Sequence, residues 1–195
     1  GSARNYKDII ILTLGTGIGG AFLTKGKLYD GANGYAGLIG HTSIEPYGHD
    51  CNCGGIGCIE SYASGWGLVK VFKEFAKEKY GNYPQKFIEN PDAKYIFSLK
   101  NEDEVALETV KQMSWRLGTT IGSLITLLNP ELVVIGGGLA NVFDQIYNDL
   151  MISIKAHSTP VVFKEFKLKK SDFPDDMGLM GAIALISKGP IPRIV

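Results

Sequence analysis

The sequence predicts an α/β fold, a mixed sheet covered by helices, and three observations carry that reading. Two short apolar runs rich in β-branched residues, at 9–14 and 131–135, each stop at glycines, which is the pattern of buried strands. A further run at 21–24 follows the first after a glycine-rich turn, so one neighbour in the sheet is a returning strand. Elsewhere apolar residues recur at three- and four-residue spacing, the helical period.

The first strand ends in Gly15-Thr16-Gly17-Ile18-Gly19-Gly20. These residues match G-x-G-x-x-G, but a dinucleotide-binding turn must open a helix. Here residues 21–24 read as a second strand, and Lys25-Gly26-Lys27 as a hairpin turn into Leu28-Tyr29. Glycines Gly15, Gly17, Gly19 and Gly20 would let phosphate oxygens approach backbone N–H groups, and the Thr16 hydroxyl adds a donor. The plainer alternative is a glycine-rich hairpin with no ligand. The strand, glycine turn and returning strand resemble the phosphate hairpin of the actin-like ATPase (ribonuclease H-like) fold, shared by sugar kinases and Hsp70-type chaperones.

Residues 31–34 are a loop leading into a segment where all three cysteines, Cys51, Cys53 and Cys58, fall together. Three thiolates and one imidazole make a complete tetrahedral set for zinc, closed to water and therefore structural. The alternatives are unrelated cysteines, or a disulfide plus a free thiol, which an odd count disfavours. Both His41 and His49 are available as the imidazole, and spacing does not choose between them. Cys58 lies near the start of a helix, where the dipole favours a thiolate.

That helix carries Glu60 in its first turn, is interrupted by Gly65 and Gly67, and continues with Leu68, Val69, Phe72, Phe75 and Ala76 on one face. Lys70, Lys73, Glu74, Lys77 and Glu78 lie opposite, a solvated face. Residues 80–84 end it. The next stretch is insertion-like, with one short helix over Ala93–Leu99. Asn101 then caps a long helix in a capping box with Glu104. Its buried stripe is Val105, Val110, Met113, Leu117, Ile121, Leu124 and Leu128, and Gly118 and Gly122 permit close approach of a neighbour. Trp115 is read as packing. Asn129-Pro130 breaks the helix before the strand at 131–135 and its glycines Gly136, Gly137 and Gly138. Such glycines let an adenine and ribose lie on bare backbone; a tight strand-to-helix turn is the alternative. A helix follows with Phe143, Ile146, Tyr147, Leu150 and Ile154 inward. Residues 162–168 read as a strand and 179–186 as a closing helix, with Gly189, Pro190 and Pro192 marking an irregular tail.

The segment G-H-T-S-I-E-P-Y-G-x2-C-x-C-G-x2-G-C-x-E at 40–60 and N-P-E-L-V-V-I-G-G-G at 129–138 resemble the signatures of the ROK family of sugar kinases and sugar-responsive repressors. The resemblance extends over nearly the whole chain. It implies zinc on His41, Cys51, Cys53 and Cys58, leaving out His49, and a sugar facing His41 and Glu60. It implies adenosine at Gly136–Gly138, phosphates at the glycine hairpin, and ATP with Mg²⁺ in a full-length protein. The family usually reads E-x-G-H, and its glutamate bonds a sugar hydroxyl; here Leu38 stands in that place.

Hydrophobic content of 45% with 21% charge is that of an ordinary globular chain, and zero net charge advertises neither nucleic acid nor anionic membrane. No apolar run is long enough to span a bilayer. No signal-peptide pattern precedes the first strand, and thiols on a metal point to the cytoplasm. The family's Asp-Gly-Thr motif and its Asn-Asp pair, whose aspartate is the catalytic base, do not occur before Ile9. Residues 3–195 are therefore expected to be one domain, the C-terminal lobe alone, without a catalytic residue and inactive as an isolated kinase. Asp8 only precedes a strand, and Asp175-Asp176 cap a helix. The partners implied are a sugar and ATP, with a homo-oligomer expected and DNA only through an upstream winged helix. Two functions follow: a lobe of an ATP-dependent kinase for a hexose or N-acetylhexosamine, or the effector-binding lobe of a repressor.

Overall fold

The first apolar run forms β1 (Ile9–Leu14), and the glycine turn returns the chain antiparallel as β2 (Ile18–Thr24), with Leu14 paired to Ile18. A turn through Lys25 and Gly26, at φ 52° and 76°, leads into β3 (Lys27–Tyr29); this left-handed pair matches the twist of the flanking strands. The structure is a computed structural model that describes residues 1–188 and 193–194. β4 (Leu132–Gly136) lies parallel to β1, with Thr13 opposite Gly136. β5 (Lys167–Lys170) and β6 (Arg193–Ile194) complete a six-stranded mixed sheet in the order β5-β4-β1-β2-β3-β6. Because β1 and β4 are parallel, the glycines that follow them emerge at the same end of the sheet.

The alternation along β1 divides the sheet into two faces. Ile10, Leu12 and Leu14 point into the main core, under α4 (Glu104–Leu128) and α5 (Phe143–Ala156). Those two helices touch where Gly118 stands: a Cβ there would come within 2.4 Å of the Ser153 Cβ. Ile9, Leu132 and Val134 form a smaller cluster on the opposite face with Tyr6, Leu23 and Met177. Met177 begins α7 (Met177–Lys188), the expected closing helix. The tail expected at Gly189, Pro190 and Pro192 lies outside the described residues.

Several local expectations need correction. The helix after Cys58 is two helices, α1 (Glu60–Ala63) and α2 (Gly65–Tyr80). Gly65 and Gly67 do not interrupt it; Ser64 is extended at ψ 171° and caps α2 by accepting from the Gly67 N–H. The stretch after α2 is only partly surface: Phe87 is buried against Phe72, ring centroids 4.9 Å apart. Within it α3 (Ala93–Leu99) forms as expected. α4 is capped by Asp103, not Asn101, through bonds from the Val105 and Ala106 N–H groups. Glu104 is then the first helical residue, so there is no capping box. Leu128 and Tyr147 are exposed rather than inward. The run at 162–168 is strand only at its end: α6 (Pro160–Glu165) takes up its first part, and β5 begins at Lys167. Pro160 sits at the start of α6, where its missing N–H costs nothing, and β-propensity yields to that start. Among the described residues no helix is long and apolar enough to cross a membrane.

Candidate functional site

Residues 41–58 fold back on themselves. Ser43 pairs antiparallel with Cys58, and Asp50 with Ile56. The Ile59 N–H donates to the Thr42 carbonyl, so His41 and Glu60 come next in the same register. Gly57, at φ 71°, closes the loop; a Cβ there would lie 1.8 Å from the Glu45 carbonyl oxygen. The result gathers His41, Cys51, Cys53 and Cys58, whose ligand atoms all lie within 4.8 Å of one another, a set that could hold a metal ion.

The electrostatics of this cluster differ from one cysteine to the next. Burial pushes the Cys58 thiol up to about 12, and the neighbouring cysteines add to the rise. The helix-favoured thiolate expected at Cys58 is thus outweighed by desolvation. Cys53 is exposed, and a hydrogen bond from the Gly55 N–H, 3.4 Å from its sulfur, leads the causes that hold its pKa below the usual thiol range. His49 is turned away from the cysteines. Its ring stacks on Tyr62, centroids 4.5 Å apart, and its Nε2 meets Glu74 Oε2 at 2.9 Å. The Arg116 guanidinium lies over the Tyr62 ring at 4.7 Å. His49 is therefore a packing residue that ties the loop to α2.

Glu60 stands at the start of α1, and its Oε2 accepts from the Ile18 N–H at 2.8 Å. The carboxylate that the family resemblance assigns to the sugar thus already touches the glycine hairpin. The hairpin glycines face different neighbours. A Cβ on Gly17 would lie 2.7 Å from Glu60 Oε2, one on Gly19 2.7 Å from Thr13 Oγ1, and one on Gly20 2.3 Å from Ile39 Cδ1. Only at Gly15 does the space stay open. The second glycine run divides likewise. Gly137, at φ 85°, sits where a Cβ would meet the Leu14 carbonyl oxygen at 2.4 Å, whereas Gly138 has nothing nearer than Asp175 Oδ1 at 4.0 Å.

The open members of both runs line one cavity. It has a volume of about 970 Å³ and brings Gly15 and Thr16 together with Gly138. Gly17, Gly19, Gly20, Gly136 and Gly137 are not among its lining residues. Sequence reasoning missed Trp66, Val69, Phe97, Asn141 and Gln145, which form other walls. Trp66, set between Gly65 and Gly67, was the one visible signal. Asn141 is held by a bond from its Nδ2 to Asp175 Oδ1 at 2.9 Å. Leu38 is exposed, three residues before His41 and just ahead of the short 3-10 turn Ile39–His41.

A mixed sheet with a glycine hairpin at one end, and a cavity against it that is large enough for a nucleotide, defines a class of protein: a lobe of the actin-like ATPase fold. The ROK family pattern matches residues 1–189, and the chain belongs to that family. It is 31% identical over 192 residues to the glucokinase of Thermotoga maritima, an alignment covering 96% of this chain and 61% of that protein. The crystal structure of a ROK family glucokinase from Streptomyces griseus in complex with glucose and AMPPNP is similar at TM-score 0.81 and 27% identity, over 93% of this chain and 61% of that one. A ROK family transcriptional regulator, a homolog of the E. coli MLC protein, is similar at TM-score 0.82 and 26% identity, over 96% of this chain and 47% of that one. The chain thus spans less than two thirds of each.

Proposed function

We propose that the chain is the nucleotide- and sugar-binding lobe of an ATP-dependent sugar kinase acting on a hexose or N-acetylhexosamine. The observation that carries this is the cavity shared by Gly15, Thr16 and Gly138, on a fold similar to a glucokinase solved with glucose and AMPPNP. In this reading the adenosine rests against Gly138, with Gly136 and Gly137 shaping the turn that presents it. The phosphates reach the backbone and hydroxyl of Gly15 and Thr16, with Gly17, Gly19 and Gly20 setting the hairpin's path. Mg²⁺ would neutralise phosphate charge. The sugar lies by His41 and Glu60. The 195 residues alone offer nucleotide and sugar contacts without an assigned base, so by themselves they should turn over no hexose in a coupled assay. Equilibrium titration with Mg²⁺·AMPPNP tests the reading: one site is expected, weakened at least tenfold in Gly138→Val, and no binding by folded, metal-loaded protein would sink it.

The metal is zinc in this proposal, held by His41, Cys51, Cys53 and Cys58. The softness and number of the donors fit it, and the buried Cys58 thiol needs a cation to ionise. Freshly purified protein should carry close to one equivalent, and Cys53→Ser much less; under half an equivalent in the wild type would contradict the assignment. A second reading, the effector lobe of a repressor, is favoured by the similarity to the ROK regulator and by Leu38 where a sugar-bonding glutamate is usual. Intact AMPPNP binding separates the two, since a repressor need not keep it.

A further inference from the structure

We infer that Glu60 is a positioning residue for the phosphate hairpin, so that nucleotide affinity depends on a side chain outside the nucleotide cavity. This rests on the proposed nucleotide site. The turn between β1 and β2 is short and glycine-rich, and a free turn of that kind samples many conformations. Phosphate binding needs its N–H groups already aimed, because ordering them on binding costs affinity. Two contacts hold the turn from outside. Glu60 Oε2 accepts from the Ile18 N–H at 2.8 Å, at the first residue of β2. The Gly65 N–H donates to the Gly15 carbonyl at 2.8 Å, at the other side of the same turn. Gly17 is shaped to this arrangement: a Cβ on it would sit 2.7 Å from Oε2 and 3.3 Å from the carboxylate carbon. The glycine in the middle of the motif therefore makes room for Glu60 and not for a phosphate.

Glu60 does not line the cavity, so its charge is kept off the phosphates while it fixes their donors. Among the described residues its Oε1 makes no hydrogen bond, which leaves that oxygen for a hydroxyl on the sugar side. A ligand bonding Oε1 would restrain the carboxylate and keep Oε2 on Ile18. Nucleotide and sugar would then tighten each other's binding by the same factor, as linkage requires.

The test is Mg²⁺·AMPPNP affinity of the 195-residue chain without sugar, together with amide hydrogen exchange at Ile18, with zinc content as the control for folding. Glu60→Ala should lose about tenfold or more in affinity, the scale of ordering a freed turn on binding, and its Ile18 amide should exchange faster. Glu60→Asp, one methylene short of Ile18, should behave like Glu60→Ala. Glu60→Gln keeps an acceptor of the same reach and should restore both readouts. Affinity within about threefold of wild type in Glu60→Ala and Glu60→Asp, with Ile18 exchange unchanged, would overturn the inference. If the wild type binds no nucleotide, the reading of the cavity fails, yet Ile18 exchange across the same variants still decides the role of Glu60.

Discussion

Gly137 and Gly138 are neighbours that answer to different demands. Gly137 is bound by backbone geometry, with φ 85° and the Leu14 carbonyl oxygen where a Cβ would go. Gly137→Ala should destabilise the chain by about 1–3 kcal/mol, read as a Tm lower by roughly 2–4 °C per kcal/mol for a domain of this size. Gly138→Ala has space for its methyl and should melt like wild type. Equal Tm values for the two variants would show that the turn at Gly137 relaxes freely. Three consecutive glycines marked this turn in the sequence, but not which of them faces the cavity, because that depends on where β1 passes. The same holds for the hairpin, where Gly17 looks like a phosphate glycine until the position of Glu60 is known. Leu38 is exposed near His41. If it stands where the family's glutamate bonds a hydroxyl, Leu38→Glu should tighten glucose binding about ten- to a hundredfold, the equivalent of one recovered polar partner. Calorimetry giving equal affinities would remove position 38 from the sugar site.

At the scale of elements, the ends of the strands are held by side chains as well as by the sheet. Glu131, just before β4, accepts from the Lys7 and Asp8 N–H groups at 2.7 and 3.0 Å. The bond from Lys7, then that from Asp8, keeps its pKa below the ordinary glutamate value. A carboxylate with a lowered pKa in the folded state stabilises above its unfolded value, and that contribution disappears as pH falls through the folded value. Glu131→Gln should therefore lower Tm at pH 7, and the gap to wild type should close below about pH 4. A gap that stays constant to pH 3 would mean the charge plays no part. This clamp left no pattern in the sequence, since its partners are more than a hundred positions apart. The strands themselves were legible: 9–14 and 131–135 are apolar, β-branched and stopped by glycine. The run at 162–168, with Val162 as its one β-branched residue and charges at Lys164, Glu165 and Lys167, was misread, because Pro160 starts a helix and only Lys167–Lys170 reaches β4. The cap of α4 slipped from Asn101 to Asp103 for a similar reason: both residue types cap helices, and only the chain path chooses.

For the whole molecule, the cysteine–histidine cluster and the cleft are two ends of one connected framework. The loop carrying His41 and the cysteines feeds directly into Glu60, Glu60 holds the hairpin, and the hairpin meets Gly138 across the cavity. The three cysteines were legible because they lie close in sequence, whereas spacing left His41 and His49 open, and the fold separates them by stacking His49 on Tyr62. The aromatic wall of Trp66 and Phe97 was not legible, because it is assembled from α2 and α3 only once the two helices pack against each other. Amide chemical-shift mapping on the 195-residue chain tests the central claim most directly. Titration with Mg²⁺·AMPPNP should shift Gly15, Thr16, Trp66, Gly138 and Asn141, and titration with glucose should shift residues around His41 and Glu60, with Ile18 responding to both. Shifts from the two ligands that fall on one shared set of residues, or nucleotide shifts that miss Gly15 and Gly138, would contradict it.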